Sequence, residues 1–411
     1  MRKASVAAFG QIVDGCSLFL QPLLPQIWPL IDHALADPEV IVRKAGCIAL
    51  SAMTGQLGTD VGARHDVFVP AVVRLAGQPE TQRLALNALD TLLECLEPEG
   101  IAPYLQALME LLLSILPTVE GETKTSVIGA IGSAAHAAKT AFTPYFATTM
   151  SHLMPMLAVV PEADDQEAAE SRGVAQDTVG TLAVSVGREV FDPYFAECMR
   201  LAMEATALKS PGLRECSFTF FTVVSRVYKA DMAPYLTSIM PVLLACVLQE
   251  DDPTAEAPAT LTNGGALTLA NGGDDGFEDI EDISVASDDI FGSSALVLEQ
   301  EVAVQALGEL FDTIREPFSP YVETAVKAID LCLDNPYEGI RKAAVQAFAT
   351  YVRTVFSLSG AAKPATPSLH PPQLPADVHR LAAHVVGSIS KILPDEDETC
   401  VHRLLSRLPR A

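Results

Sequence analysis

The stretch DPEVIVRKAGCIAL, Asp37 to Leu50, sets an acidic-proline turn ahead of a basic pair and a run of small apolar residues. The same order returns as DNPYEGIRKAA at 334–344, and RKAS stands at 2–5. A helix that starts after such a turn and carries Ala45, Gly46 and Ala49, or Ala343, Ala344 and Ala347, along one side can approach its neighbours closely. Recurrence of one local pattern is the signature of a repeat array, so a period should be visible elsewhere. Pro-Tyr pairs at Pro103-Tyr104, Pro144-Tyr145, Pro193-Tyr194, Pro234-Tyr235 and Pro320-Tyr321 are spaced by 41, 49, 41 and 86 residues. Each follows a short break and precedes an apolar run such as LQALMELLLSIL, in which Leu105, Leu108, Met109, Leu112 and Leu116 share a helical face. Proline fits the first turn of such a helix, where the N–H it lacks has no intrahelical acceptor.

These patterns predict an all-α fold, an α-solenoid superhelix of HEAT repeats, each a hairpin of helix A and helix B. Helix A follows the Pro-Tyr pair, and helix B follows the acidic turn and begins near the basic pair. Whole units are expected at about 18–60, 62–100, 101–142, 143–191, 192–232, 233–318 and 319–360, after a lone helix B at about 1–16. The domain plan is HEAT repeats over 1–251, the first partial, and an acidic disordered insertion over 252–293 between helices A and B of one repeat. Repeats resume over 294–360, followed by a Pro-rich linker at 361–375 and a partial terminal repeat at 376–411, with helix A near 376–393.

The insertion explains the long interval. It is rich in Gly, Asp, Ser and Thr, has no sustained helical period, and carries Asp274, Asp275, Glu278, Asp279, Glu281, Asp282, Asp288 and Asp289. No Lys or Arg stands between Lys229 and Arg315. Phe277, Ile280 and Ile283 are interleaved with the acids, which suits a polyanion that meets a basic partner as well as a solvated loop.

The whole chain has 411 residues and a formal charge of −25, a balance that favours cationic partners and disfavours direct nucleic-acid binding. Its apolar runs, such as PVLLACVL at 241–248, fall short of the roughly 20 residues of a membrane span. The opening MRKASVAAFGQIVDG is interrupted by Gln11 and Asp14, which argues against a secretory segment. Eight cysteines without a CxxC spacing suit buried free thiols. HExxH, a Gly-rich phosphate loop, paired CxxC and Gly-x-Ser-x-Gly are all missing, so neither an enzyme, a cofactor nor a metal is expected. His379 and His384 read as packing or surface residues, and Trp28 as core.

SVIGAIGSAAHAAKTAFTPYF (126–146), SPGLRECSFTFFTVVSRVYKADMAPYL (210–236), GGDDGFEDIEDI (272–283) and VLEQEVAVQALGELFDTIREPFSPYVE (297–323) resemble the middle HEAT repeats of β-karyopherins, the importin-β family. The resemblance implies a nuclear import receptor that binds basic cargo such as histones H3 and H4 or ribosomal proteins on its concave face. It also implies release linked to the GTP-bound Ran GTPase, contacts with nucleoporins, and shuttling between cytoplasm and nucleus. Members of the family are longer, so this chain is expected to correspond to an internal part, without the N-terminal repeats that contact Ran. By position, Ser133 on one helix B and Asp177 with Thr178 on the next match residues that hold cargo lysines in the family. Gly129 stands one turn before Ser133, where a serine would add an oxygen. Ser133 and Thr178 equally suit bonds to their own helix backbone. A HEAT scaffold, such as a phosphatase regulatory subunit, is the alternative reading.

Overall fold

The computed structural model describes residues 2–162, 165–208, 210–249, 295–360 and 375–392. Among the described residues every regular element is helical. A lone helix α1 (Arg2–Leu20) is followed by hairpins of α2 (Leu24–Leu35) with α3 (Val40–Gly62) and α4 (His65–Ala76) with α5 (Gln82–Glu94). After the short α6 (Pro98–Ile101) come α7 (Leu105–Ile115) with α8 (Gly121–Ala138), α9 (Thr143–Leu157) with α10 (Gln166–Val186), and α11 (Arg188–Thr206) with α12 (Pro211–Tyr228). Then come α13 (Leu236–Val247) with α14 (Ala295–Ile314), α15 (Val322–Cys332) with α16 (Glu338–Leu358), and α17 (Ala376–Ile392). The array is an α-solenoid of HEAT-type hairpins. The acidic insertion, the Pro-rich linker and the residues after Ile392 lie outside the described residues.

The core runs unbroken along the stack. Leu108, Met109 and Leu112 of α7 are fully buried, and burial of each such side chain stabilises the fold by about 1.5–3 kcal/mol. Small residues on the B helices permit the close approach. A Cβ on Gly46 would stand 3.2 Å from the Cβ of Ala34 and from backbone atoms, and one on Gly308 would stand 3.2 Å from the Cα of Ala347. Trp28 is 9% exposed and meets Phe68 edge-on at 5.7 Å. Four of the described thiols, Cys47, Cys198, Cys246 and Cys332, are buried, whereas Cys95 and Cys216 are half-buried and Cys16 is exposed.

The recurrent basic pair has a local task. Arg43 donates to the carbonyls of Asp37 and Pro38, both at 2.9 Å, and Arg341 donates to those of Asn335 and Pro336 at 3.0 and 2.8 Å. Arg172, 2% exposed, donates to Val159 and Leu201, and Arg214 donates to Leu208. Gln82 and Gln300 do the same to Ala76 and Val247. A donor near the start of helix B thus satisfies carbonyls of the turn just beyond helix A, or of its last residue at Ala76 and Val247, and Arg172 also reaches Leu201 within the next helix A. Cationic donors add a favourable interaction with the helix dipole.

The Pro-Tyr pairs occupy the opposite turn, from helix B to the next helix A. Tyr194 meets Phe146 at 5.4 Å and Tyr235 meets Phe195 at 5.5 Å, so each tyrosine reaches the preceding helix A. Pro234 and Pro320 lie in 3-10 turns just before helix A, and Pro144 lies in the first turn of α9. Pro193 differs from expectation. Helix α11 begins at Arg188 because Gly187, at φ +79°, ends α10 abruptly, and this leaves Pro193 inside the helix. At the equivalent turns Lys139, Lys229 and Arg315 hold φ of 52°, 49° and 65°. Helix α1 likewise continues to Leu20, past the expected end near residue 16, with a non-helical Cys16 inside it.

The hairpin that brackets the insertion is closed by polar staples. Arg214 on α12 grips Glu299 at the start of α14 with two parallel bonds of 2.6 and 2.8 Å, and the Glu299 side chain is 2% exposed. Gln300 donates to the carbonyl of Val247 at the end of α13. The most apolar stretch, Pro211–Val247, is interrupted by the 3-10 turn Lys229–Tyr235 and folds as two helices of the stack.

Candidate functional site

Helices α3, α5, α8, α10, α12, α14 and α16 pack against one another along their length, whereas successive A helices touch at few points. Tighter spacing in one layer bends a stack toward that layer, so the B helices line the inside of the curve. On this face a cleft of about 570 Å³ opens between α5, α8 and α10. Asp90, Glu94, Ser133, His136, Asp177 and Thr178 line it, with no Lys or Arg among its lining residues.

Repeat geometry assembles the cleft. Asp90, Ser133 and Asp177 lie 43 and 44 residues apart, one per unit. Ser133 is 7% exposed and its hydroxyl donates to Asp90 Oδ1 at 2.5 Å. Gly129 leaves room for this carboxylate, since a Cβ there would stand 3.2 Å from Asp90 Oδ2. Thr178, 4% exposed, donates to the carbonyl of Ile128 on α8 at 3.4 Å. Neither hydroxyl bonds to its own helix. Both tie neighbouring B helices together and leave the carboxylates as the acceptors that face the cleft.

Asp177 opens onto the cleft, and its described partner is the thiol of Cys216 on α12, which donates at 3.3 Å. The crowding walls push the Asp177 carboxyl up to about 7, against the pull of that thiol. Solvent reaches one side of the group, so this shift carries a direction for titration rather than a stability figure. Burial also raises Asp90, opposed by the Ser133 hydroxyl, and lowers His136. Burial raises Glu215 on α12, helped by Glu299 and Glu301, so acidic groups continue onto α14. An ammonium group entering such a cleft finds carboxylate and hydroxyl oxygens on several sides.

Of the residues expected from sequence, Ser133, Asp177 and Thr178 meet in this one cleft. Asp90 was missed, although its spacing of one unit from Ser133 was readable. The acidic group Asp274, Asp275, Glu278, Asp279, Glu281, Asp282, Asp288 and Asp289 lies outside the described residues. His384 is engaged with Asp330 on α15 at 2.5 Å and with the ring of Phe348. Among the described residues no group of three or more His, Cys, Asp and Glu is arranged to hold a metal.

The sequence profile of a family described as importin subunit beta-1-like, TPR repeats, matches residues 27–171. A probable importin subunit beta-4 of Schizosaccharomyces pombe is 34% identical over 369 residues, covering 87% of this chain and 33% of its own length. Human importin-4 is 28% identical over 406 residues, covering 83% of this chain and 36% of its own. The chain thus spans about a third of the length of these relatives. The karyopherin Kap121p bound to the SUMO protease Ulp1p superposes with a TM-score of 0.72 at 18% identity, over 99% of this chain and 37% of Kap121p. Kap121p bound to Nup53p gives 0.71 over the same shares. The extent of the yeast likeness, the family profile and a shared solenoid over nearly every residue agree: the chain belongs to the importin-β family of karyopherins.

Proposed function

We propose that these repeats are the cargo-binding part of an importin-4-like nuclear import receptor, with the cleft at Asp90, Ser133, Asp177 and Thr178 holding lysine side chains of an extended basic segment. The observation that carries this reading is a cleft on the inner face whose carboxylates have no lysine or arginine beside them. Adjacent B helices lie roughly 8–10 Å apart, and a chain extended as polyproline II rises about 3.1 Å per residue and returns a side chain to the same side every third residue. Lysines three residues apart therefore reach neighbouring helices. Histone or ribosomal proteins suit such a surface, and the acidic residues of the insertion accelerate their capture in a salt-dependent way. Release by Ran-GTP, contacts with nucleoporins, and shuttling between cytoplasm and nucleus belong to the same reading.

The test is fluorescence anisotropy with a lysine-rich histone H3 tail peptide and a scrambled peptide of equal charge, near physiological salt. Preference for the native order, lost in an Asp90→Asn, Asp177→Asn double variant, supports the lysine cleft. Equal affinity for both peptides, unchanged in the variant, sinks it and leaves a scaffold.

A further inference from the structure

A second cleft lies on the same inner face, of about 690 Å³, between α12, α14 and α16. Its lining differs from the first in carrying two guanidinium groups beside two carboxylates. Arg226 of α12 and Arg353 of α16 enter from opposite sides and meet Glu309 and Asp312 of the helix between them. Thr313, Gln346, Ala349 and Thr350 complete the wall.

These two ion pairs differ from the staple at Arg214. There the guanidinium is bidentate on a carboxylate that is 2% exposed, which consumes the pair in holding two helices together. Arg226 instead touches Glu309 through one nitrogen at 2.5 Å, and Arg353 touches Asp312 through one nitrogen at 3.1 Å. Their side chains are 54% and 55% exposed. A guanidinium carries five N–H donors in a planar fork suited to carboxylates, so most donors of both arginines remain available to a ligand. Asp312 is also occupied by Thr354 at 3.0 Å. An incoming ammonium meets a guanidinium already seated at each carboxylate, whereas an incoming carboxylate meets two guanidinium groups and the Thr350 hydroxyl.

The two clefts share helix α12. Cys216, which contacts Asp177, and Arg226 are ten residues apart on it, about 15 Å at 1.5 Å per residue. The centre of the second cleft lies one helix further, roughly 8–10 Å. An extended chain covers the combined path in about five to seven residues.

We propose that the arginine cleft binds a carboxylate-bearing residue of the same polypeptide whose lysines occupy the acidic cleft, about five to seven residues from the nearest such lysine. The proposal rests on the lysine-cleft reading and turns the inner face into a reader of both signs of charge. It selects cargo in which a basic cluster is flanked by Asp or Glu at that distance.

The test uses the full chain and peptides with two lysines three residues apart and a glutamate six residues beyond, on either side. Glutamine at that position gives the control, and a third peptide keeps the glutamates but replaces the lysines with serine. The glutamate peptide should bind about five- to tenfold more tightly than the glutamine peptide in one of the two orientations. An Arg226→Gln, Arg353→Gln double variant should remove that advantage and leave glutamine-peptide affinity unchanged. Both side chains are half exposed, so thermal melting should report an intact fold. A glutamate advantage that is absent, or that survives in the variant, overturns the arginine cleft while leaving the lysine cleft standing. Loss of all lysine-peptide binding overturns the lysine cleft. In that event the serine-glutamate peptide decides the arginine cleft, since binding that the variant abolishes supports it and no binding overturns it. A phosphoserine peptide that binds where the glutamate peptide does not also overturns the proposal, by assigning the guanidinium groups to phosphate.

Discussion

The cleft at α5, α8 and α10 and the cleft at α12, α14 and α16 are built on the same helix layer with opposite results. In the first, bonds between B helices use hydroxyl groups, from Ser133 to Asp90 and from Thr178 to a carbonyl, and the carboxylates keep accepting capacity toward the cleft. In the second, those bonds are ion pairs, and the guanidinium groups retain spare donors. The repeat fixes where a side chain stands, and the partner across the helix boundary fixes which charge remains available. Interaction energy then follows burial, since a desolvated pair is costly to break and an exposed one is not.

The largest effect should come from a pair that belongs to neither cleft. Glu299→Ala leaves Arg214 without its carboxylate beside a buried helix start, and removing one partner of a buried pair costs about 3–5 kcal/mol. Urea unfolding should show this loss, along with weaker protection of α14 amides in hydrogen exchange. An Arg353→Gln control should change stability by about 1 kcal/mol or less. Similar losses in both would erase the distinction between staple and site. The Asp90→Asn, Asp177→Asn double variant should come next, with lysine-peptide affinity lower by about thirtyfold, or 2 kcal/mol, at little change in stability.

The acidic cleft should also respond to pH where the arginine cleft does not. With its carboxyl pushed up to about 7, Asp177 holds a proton through much of the neutral range, and a bound ammonium must expel it. Lysine-peptide affinity should therefore rise from pH 6 to pH 8 by up to about tenfold, and the slope should flatten in Asp177→Asn. Stability runs the opposite way. A folded-state value above the ordinary carboxylate range means that ionisation opposes folding, so the Asp177 contribution is most favourable at acid pH and is lost as pH rises toward 7. Asp90, Glu94, His136, Glu215 and Cys216 surround the same groups, so isothermal titration in buffers of different ionisation enthalpy should identify proton release directly. A flat profile would mean that solvent on the open side of Asp177 relieves the desolvation.

Much of this architecture was legible in the sequence because stacked hairpins impose local rules. The Pro-Tyr turns, the one-sided apolar run of α7 and the small residues of α3 and α16 each answer to contacts within one unit or its neighbour. The two clefts were less legible because their residues converge from separate helices. Asp90 in NALDTLLE reads as a surface acid until the unit spacing places it beside Ser133. Arg226 and Arg353 are 127 residues apart, and nothing local marks them as facing one another. The early start of α11 was hidden for a different reason. Pro193 suggested a helix start, but the controlling residue was Gly187, whose positive φ ends α10 and lets α11 begin before the proline.

That turn supplies the smallest prediction and a control on the comparison. Gly187 closes α10 beside the acidic cleft, and Lys229 closes α12 three residues beyond Arg226, with φ of 79° and 49°. Glycine adopts positive φ without penalty, whereas a side chain there is disfavoured by about 1–2 kcal/mol. Lys229→Gly removes that strain but also loosens the unfolded chain, so the net gain should be about 0.5–1 kcal/mol. Gly187→Ala should lose about 1 kcal/mol. Chemical denaturation can resolve the opposite signs. Lys229 is exposed and absent from the walls of the arginine cleft, so Lys229→Gly should leave the preference for glutamate over glutamine unchanged. A changed preference would show that the strained end of α12 positions Arg226, making the selectivity of that cleft a property of the turn as well as of its charges.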